Sequence, residues 1–100
     1  MNLNNIAIRH DQEHQMFFIK LNGGAAHLKY KKPKEDMWDI KETFVPEAAR
    51  SIGLAGLLVK HTLELANSQN KTVILSCPFA EDFVEKNPEY KDLLHQREAQ

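Results

Sequence analysis

Apolar residues change their spacing about halfway along the chain. Asn5 to Arg9 and Gln15 to Leu21 carry isoleucine and paired phenylalanines in short runs, and Asn22-Gly23-Gly24 between two such runs supplies residues that tolerate positive φ at a hairpin turn. In Ala25 to Tyr30, the positions Ala26, Leu28 and Tyr30 fall on one face and His27 and Lys29 on the other, the alternation of a half-buried strand. The polar stretch Lys31 to Asp36, with Pro33 inside it, reads as the turn into a third arm, Met37 to Val45. An antiparallel meander is expected. From Ala48 to Asn67 the apolar positions Ile52, Leu54, Leu57, Leu58, Leu65 and Ala66 recur near the 3.6-residue period of a helix of about 20 residues. Lys71 to Cys77 then presents Val-Ile-Leu, as for a strand covered on both faces. Strand, helix and strand make a β-α-β unit. Ala80 to Lys86 and Glu89 to His95 read as short helices separated by Asn87-Pro88.

Composition narrows this mixed α+β expectation. One hundred residues are fewer than the roughly 150 of a typical domain, so one domain over residues 1–100 is expected. With 42% hydrophobic and 27% charged residues, the chain has the composition of a globular protein rather than a disordered one. Thirteen basic against fourteen acidic residues leave a net charge of −1, which argues against nucleic acid as a partner. Apolar stretches fall far short of the roughly 20 residues that cross a bilayer, and residues 1–10 lack a signal-peptide core. A single cysteine, Cys77, excludes an internal disulfide and a cysteine-based zinc site and points to a reducing, cytoplasmic location. The five histidines show no metal-ligand spacing, so no metal is expected.

The stretch with chemical content is Val45-Pro46-Glu47-Ala48-Ala49-Arg50-Ser51-Ile52-Gly53-Leu54-Ala55-Gly56, between a strand and the long helix. A helix start leaves backbone N–H groups without partners and its dipole favours negative charge, so a phosphate can be held there mainly by main chain. Gly53 would let the backbone approach closely, Ala55 and Gly56 would keep the next turn uncrowded, and Arg50 would add a charge-assisted contact. The same residues also describe an ordinary helix start with a glycine used for packing.

Arg50-x-x-Gly53-x-Ala55 resembles the Gln/Arg-x-x-Gly-x-Gly/Ala signature of the GNAT acetyltransferases. Thr43 to Pro46, Ser76-Cys77-Pro78-Phe79 and Asn87-Pro88-Glu89-Tyr90 extend the likeness over roughly residues 15 to 95, to a subfamily of very small members. The resemblance implies a mostly antiparallel sheet with a β-α-β unit that binds acetyl-CoA, short C-terminal helices, and transfer of an acetyl group to an amine acceptor. It implies that Thr43, Phe44 and Val45 line the pantetheine. It places the phosphates on Arg50, Ser51, Ile52, Gly53, Leu54 and Ala55 and Cys77 beside the thioester, with Pro78 and Phe79 also among the cofactor-binding residues. Two departures stand out: Glu42 and Ser51 occupy positions where the subfamily often has histidine and glycine.

Two side chains are candidates for catalysis. Strict alternation through Met37 to Val45 puts Glu42 on the apolar face with Trp38, Ile40 and Phe44. There burial would raise its pKa and suit it to act as a general base toward an ammonium acceptor, unless it is solvated or paired with Lys41 or Arg50. Cys77 ends an apolar strand where ligands gather in open sheets, and a following helix would lower its pKa. It could pack, line the pocket or act as an acetyl relay. A CoA-binding module without transfer activity, and an interaction domain that pairs through its sheet edge, share the same pattern.

Overall fold

The computed structural model describes residues 6–95. A five-stranded sheet runs in the order β1 (Arg9–Asp11), β2 (Met16–Leu21), β3 (Gly24–Lys34), β4 (Met37–Phe44) and β5 (Thr72–Leu75). All neighbours are antiparallel except β4 and β5, which are parallel and joined by helix α1 (Leu54–Ser68). This is the mostly antiparallel α+β architecture with a β-α-β unit that the sequence led us to expect. Helix α2 (Pro78–Lys86) follows β5, and no helix among the described residues is long and apolar enough to cross a membrane.

Several boundaries move for physical reasons. The first strand begins at Arg9 rather than at Asn5, which lies outside the described residues. Strand β3 continues through Pro33 to Lys34, so the turn shrinks to Glu35–Asp36. Pro33 is tolerated because the pairing with β4 is irregular between Lys31 and Lys34, where a missing N–H interrupts no regular ladder. The 20-residue helix is divided into a 3-10 helix, Glu47–Ile52, and α1, because Gly53 between them is left-handed (φ 85, ψ 20). β5 is covered unequally: Val73 is buried, Thr72 exposed, and Ile74 and Leu75 are half-buried. The last expected helix is instead a 3-10 helix, Pro88–Leu93. After it His95 N–H donates to Val73 O (2.8 Å), so the chain runs beside the edge of β5.

The core lies between one face of the sheet and the helices. Phe17, Ile19, Ala26, Leu28, Tyr30, Trp38, Ile40 and Val73 point from the strands toward Leu54, Leu58, Val59, Leu63 and Ala66 of α1, all at or below 3% exposure. At the β1 end, His10 stacks on Phe17 (4.1 Å between ring centroids), Tyr30 stacks on Trp38 (4.9 Å), and His10 is hydrogen-bonded to the Tyr30 hydroxyl (2.6 Å). Helix α2 lies beside α1, where a Cβ added to Gly56 would meet the Phe83 ring at 3.6 Å. That is ordinary van der Waals contact, so helix packing does not require glycine at position 56. The Tyr90 hydroxyl donates to Glu64 of α1 (3.0 Å); partial burial and that carboxylate push its pKa up to about 12.

Candidate functional site

The site forms where the two parallel strands part. β4 and β5 pair from Met37↔Thr72 to Ile40↔Leu75, and then Ser76 and Cys77 both donate their backbone N–H to the Ile40 carbonyl (3.0 Å each) as the chain turns into α2. β4 continues to Phe44 without a partner on that side. The gap opens into a cleft of about 350 Å³ lined by Thr43, Phe44, Val45, Arg50, Ala55 and Phe79. Six of the residues expected at a cofactor site, drawn from four separate segments, thus share one wall.

Each wall residue is set by its local structure. Thr43 and Val45 face inward from the end of β4, and the Thr43 hydroxyl lies 3.5 Å from Cys77 Sγ. Arg50 donates through Nε to the Val45 carbonyl (2.9 Å), which holds the guanidinium against the strand end and leaves its terminal N–H groups for an anion. Left-handed Gly53 ends the 3-10 helix and starts α1, and no side chain caps the first N–H groups of α1. Phe44 and Phe79, 43% and 41% exposed, are the large apolar side chains most open to solvent among the described residues, and both line the cleft. A cationic, N–H-rich end beside an apolar channel suits a ligand with an anionic head and an apolar stem.

The other expected residues are placed differently. Leu54 is fully buried in the core, so only its backbone is at the helix start; Ile52 packs half-buried against the core, and Ser51 lies in the 3-10 helix. Pro78 is exposed at the first position of α2, which its fixed φ suits. Cys77 is the N-cap residue of α2, 4% exposed, and lies behind Thr43 rather than on the cleft wall.

Glu42 corrects the expectation drawn from alternation. Opposite β3, Lys29 pairs with Glu42 but the next residue, Tyr30, pairs with Ile40, so Lys41 is an extra residue in a β-bulge. One extra residue reverses the phase. Trp38 and Ile40 point into the core, whereas beyond the bulge Thr43 and Val45 point inward and Glu42 and Phe44 outward. Glu42 is therefore exposed, not buried on the apolar face. The partners foreseen for it, Lys41 and Arg50, are not the ones it takes: His27 of β3 donates to its carboxylate through Nε2 (2.8 Å). That hydrogen bond, helped by the charge of Lys29, holds the Glu42 carboxyl below its usual range, opposite to the rise that burial would cause. His27 also packs against Phe44 (5.4 Å between centroids). The sequence had placed it only on the outer face of its strand. The signal that could have revealed the pairing is the polar pair Lys41-Glu42 directly after the buried Ile40.

A family model described as GCN5-related N-acetyl-transferase matches residues 16–93. The chain belongs to the GCN5-related N-acetyltransferases. Protein NATD1 of Mus musculus is 31% identical over 85 residues, covering 83% of this chain and 77% of that protein; NATD1 of Homo sapiens is 31% identical over 85 residues, covering 83% and 75%. The solution structure of a GCN5-like protein from Staphylococcus aureus superposes with a TM-score of 0.67 at 26% identity, covering 94% of this chain and 92% of that one. Members of this family use acetyl-CoA as donor, whose anionic phosphates and whose pantetheine arm, with methyl and methylene groups between its amides, suit the two ends of the cleft.

Proposed function

We propose that this chain is a single-domain N-acetyltransferase that moves the acetyl group of acetyl-CoA to an amine, in a reducing cytoplasm where Cys77 stays a free thiol. The observation that carries the reading is the cleft at the parting of β4 and β5, where Arg50 and the uncapped start of α1 meet apolar walls from Phe44, Val45 and Phe79. Bound there, acetyl-CoA supplies an activated thioester. Arg50, left-handed Gly53 and the N–H groups of Leu54 to Gly56 hold its phosphates, while Thr43 to Val45 align its stem along the unpaired edge of β4. Free N–H groups on that edge polarise the carbonyl and stabilise the charge that develops on its oxygen. Rate enhancement then comes mainly from positioning, for which well-oriented groups supply about 7–11 kcal/mol.

Cys77 packs behind the channel wall with its sulfur on Thr43, and its 4% exposure favours direct attack by the amine over an acetyl relay. Isothermal titration calorimetry with acetyl-CoA tests the reading: saturable binding is expected, and no heat at millimolar donor overturns it. Binding without release of free CoA thiol across a panel of primary amines would leave a CoA-binding module instead.

A further inference from the structure

We propose that His27 is a catalytic residue, accepting the proton of the incoming ammonium, with Glu42 as its positioning residue and the acceptor arriving over the sheet face opposite α1. The inference rests on the acetyl-transfer reading above and assigns the acceptor side of that site.

Position comes first. The bulge at Lys41 turns Glu42 and Phe44 outward together, and the cross-strand pairs His27↔Phe44 and Lys29↔Glu42 put all four side chains on one face. Phe44 both lines the cleft and packs against the His27 ring, so the imidazole stands one aromatic side chain from the channel. Thr43, between Glu42 and Phe44, points the other way and reaches Cys77. The two faces of the sheet therefore divide the work: Thr43 and Val45 line the donor channel from the inner face, and the outer face carries His27 and Glu42 with Phe44 between them and the channel.

Orientation comes next. An ionised carboxylate can only accept, so Nε2 of His27 carries the hydrogen given to Glu42, which turns Nδ1 away from the carboxylate. The His27 side chain is 21% exposed, held on one side by Glu42 and Phe44 and open on the other. The other charges on this face are Lys29 and Lys31 of β3, Arg9 and Asp11 of β1 in the cross-strand rows of His27 and Lys29, Lys20 of β2, and Asp39 of β4, which lies opposite Lys31 and is paired with Lys41 (3.5 Å). Among these groups only the imidazole packs against a ring that lines the cleft while a hydrogen bond to the neighbouring strand fixes its orientation.

The chemistry needs such a group. A primary alkyl ammonium, with a pKa of about 10.4, has no lone pair at neutral pH. One proton passes from the ammonium to Nδ1; the amine nitrogen then forms the N–C bond as the C–S bond breaks. The second nitrogen proton ends on the departing sulfur, and the imidazolium returns its proton to water. Nothing else is consumed.

Two measurements test this on the full chain. In two-bond 1H–15N correlation spectra of the histidine rings, His27 should be the Nε2-protonated tautomer, should shift when acetyl-CoA saturates the protein, and should lose its tautomer preference in Glu42→Gln. A His27 ring that ignores bound acetyl-CoA overturns the proposal. In thiol-release assays on a panel of primary amines, His27→Ala should lower kcat about a hundredfold, leave KM for acetyl-CoA unchanged, and be partly rescued by added imidazole. Wild-type kcat in His27→Ala also overturns it. If no amine on the panel turns over, the spectra decide. Absence of acetyl-CoA binding by calorimetry is a separate outcome: it sinks the transfer reading, and this inference with it.

Discussion

Gly53 and Gly56 lie three residues apart in one motif and should respond oppositely to the same substitution. Gly53 is left-handed, a conformation that costs an L-residue roughly 1–2 kcal/mol. Alanine recovers about 0.4–1 kcal/mol by reducing the freedom of the unfolded chain, so Gly53→Ala should be destabilising by about 1 kcal/mol. For a domain of this size that lowers Tm by roughly 4–8 °C. Gly56 is in the first turn of α1, and its added Cβ meets the Phe83 ring at 3.6 Å, ordinary van der Waals contact. Helical glycine is about 0.5–1 kcal/mol worse than alanine, so Gly56→Ala should leave Tm unchanged or raise it by a few degrees. Binding should separate the pair as well. Relief of the strain at residue 53 moves the first N–H groups of α1, so Gly53→Ala should weaken acetyl-CoA binding at least tenfold, while Gly56→Ala stays near wild type. Differential scanning calorimetry and isothermal titration on the two variants provide the readings. A Gly53→Ala protein that melts and binds like wild type, beside a Gly56→Ala protein several degrees less stable, would refute this division of roles.

Other consequences follow from the same geometry. Phe79→Ala removes a ring that is 41% exposed, so Tm should change by no more than a degree or two while acetyl-CoA affinity falls about fivefold or more, measured by thermal melts and calorimetry. Arg50→Met removes a charge-assisted donor worth roughly 1.5–3 kcal/mol, so affinity should fall about ten- to a hundredfold, and the loss should shrink at high salt. Cys77→Ala should keep most of the transfer activity, and mass spectrometry after incubation with acetyl-CoA should find wild-type Cys77 unmodified; an acetylated Cys77 with an inactive alanine variant would establish the relay. His10 should make stability depend on pH. Burial, with the nearby charges of His61 and Lys32, lowers its pKa against an opposing pull from Asp11. The unfolded chain therefore binds the proton first as pH falls through about 6.5, and stability declines from there down to the lower folded pKa, below which it levels off. Urea melts at pH 8 and pH 5 should show a smaller loss in His10→Phe than in wild type.

Much of this arrangement was legible because it is local. The alternation of Ala26, Leu28 and Tyr30, the positive-φ turn at Gly23 and the helical period of α1 each depend on residues within a few positions of one another. The cleft was legible for a related reason. A strand end, a glycine at a helix start and a cysteine before Pro78 are all positions next to a chain reversal, and a parallel β4–β5 pair brings those reversals to one end of the sheet. The split between the 3-10 helix and α1 was harder to see, because the apolar period runs through Ile52 and Leu54 without showing that Gly53 is left-handed.

Glu42 was misplaced for a physical reason that reaches beyond one residue. Period-2 alternation assigns a face only while the strand stays in register, and a bulge depends on the partner strand, its local trace here being only the polar pair Lys41-Glu42 after Ile40. With Lys41 inserted, every residue from Glu42 to Val45 changes sides. That single shift takes a carboxylate out of the apolar face, brings Thr43 to Cys77 and Val45 to Arg50, and sends Phe44 to His27. The cleft and the His27–Glu42 pair thus share one structural cause. Deleting Lys41 should leave both in place: Ile40 inward, Glu42 outward, Thr43 inward and Phe44 outward then alternate regularly against the same β3 partners, so acetyl-CoA binding and the His27 tautomer preference should persist in one variant, and loss of both would refute this account of the bulge.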